Sequence, residues 1–364
     1  MRVGLLIPTL GPGGAERVIT ALANALAARG HEVSLVTLAA VGSDFFTVDA
    51  GVQRVGLDLM RDSRSLLEAL MINLQRMRRL RAAIRAIDPG AVVAFTTSMN
   101  VLTLLACIGL RRVRTVASER VDPAAHRGER SWRLLRRWLY PRAYALVVQT
   151  AGAAAWFRND LGKRPPIVVI PNPLIPFFAG SGVVAGTPAP YLLSVGRLVH
   201  QKGFDLLIRS FSLIAKDYTD INLVIAGEGQ EAASLHALVA QLKLEDRVYL
   251  AGRVQDVPAL MRSALAFVLA SRYEGFPNVL IEALGAGLPV VATDCPGGSR
   301  EILEGGEFGI LVPSEDEHAL AAALRTLLTD AELRRQLSAK TKAAVSRYSP
   351  DSVFARWEQL LSQP

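Results

Sequence analysis

The sequence predicts two doubly wound α/β domains, and three observations carry that expectation. At 364 residues the chain is long enough to bury two cores of ordinary domain size. Short apolar runs bounded by Gly or Pro alternate with stretches of helical length, the pattern of parallel strands joined by crossover helices. A charge-free segment carrying seven prolines (165, 166, 171, 173, 176, 188 and 190) separates the two series, and proline cannot donate to a helix or a sheet. The domains are therefore placed at 1–175 and 188–345, with the linker at 176–187. Residues 346–364 are read as a helix packing back toward the first domain.

In the first half the strand candidates are RVGLLIP, EVSLVTL, VQRVGLD, AVVAF, VRTVAS, YALVVQT and PIVVIP; in the second they are YLLSVG, INLVIAG, RVYLAG, LAFVLA, LPVVAT and GILVP. Several are apolar at every position, as strands covered on both faces should be. The first strand leads through GPGG into a helix from about Ala15 to Arg29. The uncharged stretch from Pro89 to Leu110 divides into a strand (AVVAF), a polar loop (TTSMN) and a short helix (VLTLLACIGL), too short to cross a bilayer. The apolar N-terminus stops at GPGG before Glu16 and Arg17, which is not a signal peptide. Cys107 and Cys295, the two cysteines, give neither a disulfide framework nor a metal spacing, and a reducing cytoplasm is expected.

Charge is divided unevenly. Residues 1–180 hold 24 Lys and Arg against 12 Asp and Glu, and 23 of those cations are Arg; residues 181–364 hold 17 against 21. Arginine suits bidentate phosphate contact, so nucleic acid, an anionic membrane and a diphosphate substrate are the candidate partners.

Three loops carry the candidate chemistry. Gly11, Gly13 and Gly14 expose backbone N–H groups at a helix start, either an anion site or a plain strand-to-helix turn. In YLLSVGRLVHQKGF, Arg197 and Lys202 flank a short loop before Gly203, placed to hold a diphosphate or simply solvated. In ASRYEGFPNVLIEALGAGLPVVAT, Pro277 suits the first turn of a helix that ends by Gly287. Glu274 precedes this helix and Glu282 lies inside it. A carboxylate in an apolar helix needs a polar partner, which a ribose diol would supply, although an ordinary surface Glu fits the same letters.

These blocks together resemble the second domain of retaining family 4 glycosyltransferases: GR-x4-KG at 196–203, AGEG at 226–229, GRV at 252–254 and EGFPNVLIEALGAG-x-P at 274–289, in that order and spacing over about 160 residues. GPGGAER matches the family's first domain. The resemblance implies a GT-B architecture, two Rossmann-like domains facing an interdomain cleft that holds a nucleotide-sugar donor, with uridine the preferred base. It implies that Arg197 and Lys202 neutralise the leaving diphosphate and that Glu274 bonds donor sugar hydroxyls. Glu282 would hold the nucleotide ribose, and the peptide groups of Phe276, Pro277, Asn278 and Val279 would face sugar and phosphate. Arg253 and Val254 would meet the base, with Gly13 and Gly14 closing over the diphosphate. Neither a metal nor a cofactor is implied, and no DxD pair occurs. One departure is that Arg120 stands where many members carry a histidine; His126, six residues on, is read as a surface residue. Without a carboxylate nucleophile, front-face attack is expected.

Two basic helices suggest the acceptor. Residues 65–87 place Leu70, Leu74, Met77, Leu80, Ile84 and Ile87 on one stripe, with Arg78, Arg81 and Arg85 on an adjoining face. ERSWRLLRRWLYPR groups Trp132, Leu135, Trp138 and Leu139 beside Arg130, Arg133 and Arg137. Such helices read as membrane-surface elements, or as core stripes with solvated arginines. AFTTSMN, SERVDP and RRWLYPRAYALVVQT resemble a narrower group of bacterial enzymes extending polyprenyl-diphosphate-linked oligosaccharides, the N-acetylgalactosaminyltransferases of N-glycan assembly among them. That resemblance assigns Arg78, Arg81, Arg85 and Arg120 to the lipid diphosphate or acceptor. The expected partners are a nucleotide sugar, a lipid-linked glycan and the anionic inner face of the plasma membrane, the protein being cytoplasmic and peripheral. A soluble transferase acting on a sugar phosphate or small-molecule acceptor is the alternative, and a GT-B epimerase another. Nucleic acid, suggested by an isoelectric point near 9.8, is not expected, because no recognised RNA or DNA motif accompanies the charge.

Overall fold

The computed structural model describes residues 1–61, 65–123, 130–175 and 188–363. The chain divides into unit 1, Met1–Pro173 with Pro350–Pro364, and unit 2, Leu174–Ser349. The linker expected at 176–187 lies outside the described residues.

Unit 1 contains β1 (Arg2–Ile7), α1 (Gly14–Ala28), β2 (Glu32–Thr37), β3 (Val52–Gly56), α2 (Leu66–Ile87), β4 (Ala91–Phe95), α3 (Thr97–Cys107), β5 (Arg114–Ser118), α4 (Arg130–Leu139), β6 (Ala145–Val148), α5 (Ala151–Leu161) and β7 (Ile167–Val169). The strands pair in parallel in the order β3-β2-β1-β4-β5-β6-β7. Every residue of β4 and β6 is buried, which explains why these runs show no polar alternation. Leu80 and Ile84 of α2 join Leu6, Val36, Ala94 and Met99 in one apolar cluster.

Unit 2 follows with β8 (Tyr191–Val195), α6 (Phe204–Ser212), β9 (Asn222–Ala226), α7 (Ala232–Gln241), β10 (Val248–Gly252), α8 (Val257–Ser263), β11 (Ala266–Leu269), α9 (Asn278–Gly285), β12 (Val290–Asp294), α10 (Ser299–Ile302), β13 (Ile310–Pro313), α11 (Glu317–Thr329) and α12 (Ala331–Ser346). Its strand order is β10-β9-β8-β11-β12-β13, again parallel. Both sheets change winding direction beside their first strand, between β1 and β4 and between β8 and β11. Loops diverge there to opposite faces and leave a crevice at the carboxyl ends, where open α/β sheets take ligands.

The last helix, α13 (Pro350–Ser362), belongs to unit 1. Its Trp357 is fully buried, 5.9 Å from the Phe95 ring, and its Glu358 meets Arg29 at 3.0 Å and His31 at 2.7 Å.

One element differs from its sequence reading. TTSMN is the first turn of α3 rather than a loop. Asn100 is buried there, donating to the Ser118 carbonyl and accepting from the Ser118 N–H, both at 3.1 Å. A neighbouring strand thus satisfies the amide that made the segment look loop-like.

Candidate active site

The site of unit 2 is assembled from the loops following β8 and β11, which flank the point where the sheet changes direction. After β8 the chain turns through 196–203 before entering α6. Gly203 has φ of +62°, and a Cβ built on it would lie 2.1 Å from the Ala270 carbonyl oxygen, so only glycine lets this loop rest on the end of β11. Lys202, one residue earlier, places Nζ 2.6 Å from Oε1 of Glu274.

Glu274 is 5% exposed. Ser271 Oγ donates to the same Oε1 at 2.6 Å, so the carboxylate receives an ammonium and a hydroxyl together. Its N–H donates to the Pro296 carbonyl at 2.8 Å. Gly297, with φ of +125°, passes so close that a Cβ would sit 2.1 Å from the Glu274 carbonyl oxygen. Backbone on both sides fixes this carboxylate, and its partner is a cation.

Pro277 occupies the N-cap position of α9, which sets the first turn of that helix at the carboxyl edge of the sheet. The side chains of this loop are packing groups. Phe276 lies in the apolar cluster, edge to face with Tyr348 at 5.7 Å, and Pro277 is buried. Asn278 and Val279 are half-buried, and Glu282, on the second turn, is 8% exposed. Arg197 and Arg253 are exposed after β8 and β10, while Val254 packs against the apolar cluster.

Sequence reasoning missed Ser271 and Arg272, although both stand in the block that carries Glu274. Ser271 meets Glu274 three residues on through the turn of the loop, whereas the partners of Arg272 are distant in sequence. Arg272 makes a bidentate pair with Asp205 at 2.8 Å for both bonds and meets Glu315 at 2.6 Å.

In unit 1, Gly13 caps α1 and Gly14 begins it, at the carboxyl end of β1. Arg78 and Arg85 are exposed on α2. Arg81, half-buried on the same helix, donates from its guanidinium to the carbonyls of Ala106 and Ile108 at the C-terminal end of α3, where backbone acceptors lack helical partners. Arg120 is enclosed more fully. It is buried over the Phe95 ring at 3.6 Å, with Trp357 at 5.6 Å and one bond to Asn172 Oδ1 at 2.7 Å. Burial lowers its pKa to about 9. Beside it, buried Glu119 accepts from Thr97 and Tyr140, a cluster the sequence did not suggest. Burial, followed by the Glu119 charge, raises the Tyr140 pKa well above its ordinary value.

The α2 stripe divides in two. Leu80 and Ile84 are core, whereas Leu67, Leu70, Met71 and Leu74 are 74%, 68%, 64% and 41% exposed. On α4, Leu139 is buried while Leu134 and Trp138 are 68% and 54% exposed, and Arg133 and Arg137 are exposed. Arg136, which had no assigned role, is buried against Trp156 and Phe157. His126 and the side chains of Arg130 and Trp132 lie outside the described residues. Among the described residues no helix is long and apolar enough to cross a membrane.

Comparison with known proteins extends the picture. The family model described as Glycosyltransferase Family 4 matches residues 12–175, and that described as Glycosyl transferases group 1 matches 184–344. A Campylobacter jejuni α-1,4-N-acetyl-D-galactosaminyltransferase, whose name gives a diNAcBac-PP-undecaprenol-linked glycan as its substrate, is 28% identical over 364 residues, covering 100% of this chain and 99% of that one. Among solved structures, sucrose-phosphate synthase from Thermosynechococcus elongatus is similar with a TM-score of 0.84 at 21% identity, covering 99% of this chain and 98% of that one. Anabaena HepE, solved with UDP, gives 0.78 at 20% identity over the whole of both chains. At such identities the two structures speak for the fold.

Proposed function

This chain belongs to the family 4 glycosyltransferases of GT-B fold, and from that premise we propose that it is a retaining, metal-independent enzyme that moves a hexose or N-acetylhexosamine from a nucleotide sugar to a polyprenyl-diphosphate-linked glycan. The observation that carries the donor half is the Lys202–Glu274 contact at the point where the unit 2 sheet changes direction, beside the start of α9. Lys202 and Arg197 are the cations for the departing diphosphate, where negative charge grows as the bond from the sugar C1 to the phosphate oxygen breaks. The α9 N–H groups face the same charge. Glu274 takes donor sugar hydroxyls when Lys202 turns to phosphate, and Glu282 takes the ribose. Uridine is the base to test first. The acceptor hydroxyl attacks C1 on the face the diphosphate leaves and passes its proton to a leaving phosphate oxygen, preserving the configuration.

For the acceptor half, the Campylobacter relative's lipid-linked substrate is carried over as a proposal, supported by the arginine excess of the first 180 residues and by the surface of unit 1. Arg78 and Arg85 are exposed on a helix whose first half exposes four large apolar residues, while α4 exposes Leu134 and Trp138 among arginines. This combination suits peripheral association with an anionic membrane, the inner leaflet in this reading, with those two arginines meeting the lipid diphosphate. Replacing both Arg78 and Arg85 with Gln and assaying in neutral detergent tests the assignment. A raised acceptor KM with unchanged acceptor-independent donor hydrolysis is expected. A wild-type acceptor KM in detergent would leave these arginines as lipid-attracting charges only.

A further inference from the structure

The loop that carries Lys202 is gripped on both sides of that lysine by one arginine from the neighbouring loop. Arg272 follows β11 and stands two residues before Glu274. Its NH1 donates to the His200 carbonyl at 2.8 Å, two residues before Lys202. NH1 and NH2 take the two carboxylate oxygens of Asp205, three residues after Lys202, at 2.8 Å each. Nε reaches Glu315 at 2.6 Å, in the turn after β13, so every nitrogen of the guanidinium is engaged. The backbones are laced as well: Arg272 N–H donates to the Gln201 carbonyl at 2.8 Å, and Gln201 Nε2 donates to the Tyr273 carbonyl at 3.0 Å.

This arrangement exceeds what stability asks of it. Asp205 and Glu315 are 38% and 57% exposed, and ion pairs with such wet partners contribute little to folding. Four guanidinium bonds instead fix the spacing of two loops whose ends carry Lys202 and Glu274. Lysine is a point charge on a flexible stem, so its placement depends on what holds its backbone.

We propose that Arg272 is a positioning residue of the transfer reaction: by bracketing Lys202 it sets where the ammonium stands against the departing diphosphate, without touching the donor. The proposal rests on reading Lys202 as a diphosphate-binding cation. Burial works against the Asp205 carboxylate, yet the Arg272 hydrogen bonds hold its pKa below the ordinary value, in keeping with a clamp closed throughout the neutral range.

A double-mutant cycle tests this. Acceptor-independent UDP release is measured for wild type, Arg272→Gln, Lys202→Ala and the double variant, using whichever of the common UDP-hexoses and UDP-N-acetylhexosamines the wild type hydrolyses fastest. Arg272→Gln should lower kcat at least about tenfold with donor KM within about threefold, and should lower it by less than about threefold once Lys202 is Ala. Asp205→Asn, which opens the clamp from the other side, should reproduce the loss, with the melting temperature nearly unchanged in each variant. Equal losses from Arg272→Gln in both backgrounds, or wild-type turnover in Arg272→Gln, would overturn the positioning role alone. Wild-type turnover in Lys202→Ala would instead remove the diphosphate reading, and the inference with it.

Discussion

Glu274 and Glu282 stand eight residues apart, are both nearly buried, and are asked for different work. Glu274 faces a cation and a hydroxyl next to the proposed reacting sugar. Its replacement by Gln should lower kcat by about 10²–10³, the scale of losing one preorganised charge-stabilising group, and should leave nucleotide affinity within a few-fold. Glu282→Ala should do the reverse, weakening UDP binding in calorimetry; unchanged UDP affinity would remove its ribose assignment. Cys295 offers a separate check on the same neighbourhood. It is 4% exposed, and burial, reinforced by the Glu274 charge, pushes its thiol pKa up to about 11. With so little thiolate at pH 8, intact mass after iodoacetamide treatment should show Cys295 unmodified in the native protein and alkylated in urea. A folded pKa raised above the unfolded one favours the native state below the ordinary thiol value and is lost as pH rises toward about 11, so this thiol should lower stability across that alkaline window. Lys202 and Glu274 were legible as candidates because their motif is local. The partners of Arg81 and Arg120, a helix end in one case and an aromatic face in the other, are set by tertiary packing and leave no local pattern.

At the scale of elements, α2 gives the sharpest contrast. The stripe that reads as continuous in the sequence joins the core cluster through Met77, Leu80, Ile84 and Ile87 while Leu70 and Leu74 stay exposed, so one helix carries both a core face and a wet apolar face. Leu80→Ala should cost about 2–5 kcal/mol in denaturant unfolding, as a cavity in a packed core does. Replacing Leu67, Leu70, Met71 and Leu74 together with Ser should leave unfolding almost unchanged and abolish flotation with vesicles containing anionic lipid. Retained flotation would move membrane contact away from α2. The helix's first boundary is plain in the sequence, since Ser65 caps the Glu68 N–H at 3.2 Å in the Ser-x-x-Glu pattern. The central strands β4, β6 and β11 were legible for a related reason: strands buried on both faces are apolar without interruption. The start of α3 was hidden because buried Asn100 finds its partners on β5, which no local pattern reports.

For the whole molecule, two parallel sheets wind in the same way, and the charge is divided so that arginines crowd one half while the Lys202–Glu274 pair occupies unit 2. The family places the reaction class within glycosyl transfer. The proposed acceptor is a lipid-linked glycan. The most direct measurement incubates the protein with UDP-hexoses and UDP-N-acetylhexosamines, supplying an undecaprenyl-diphosphate-linked glycan in one reaction and a soluble sugar phosphate in another, and reads products by mass spectrometry. The lipid-linked glycan should gain one or more sugar masses and the sugar phosphate none. Transfer to the sugar phosphate with the lipid-linked glycan untouched, or release of an epimerised sugar without any acceptor, would contradict it.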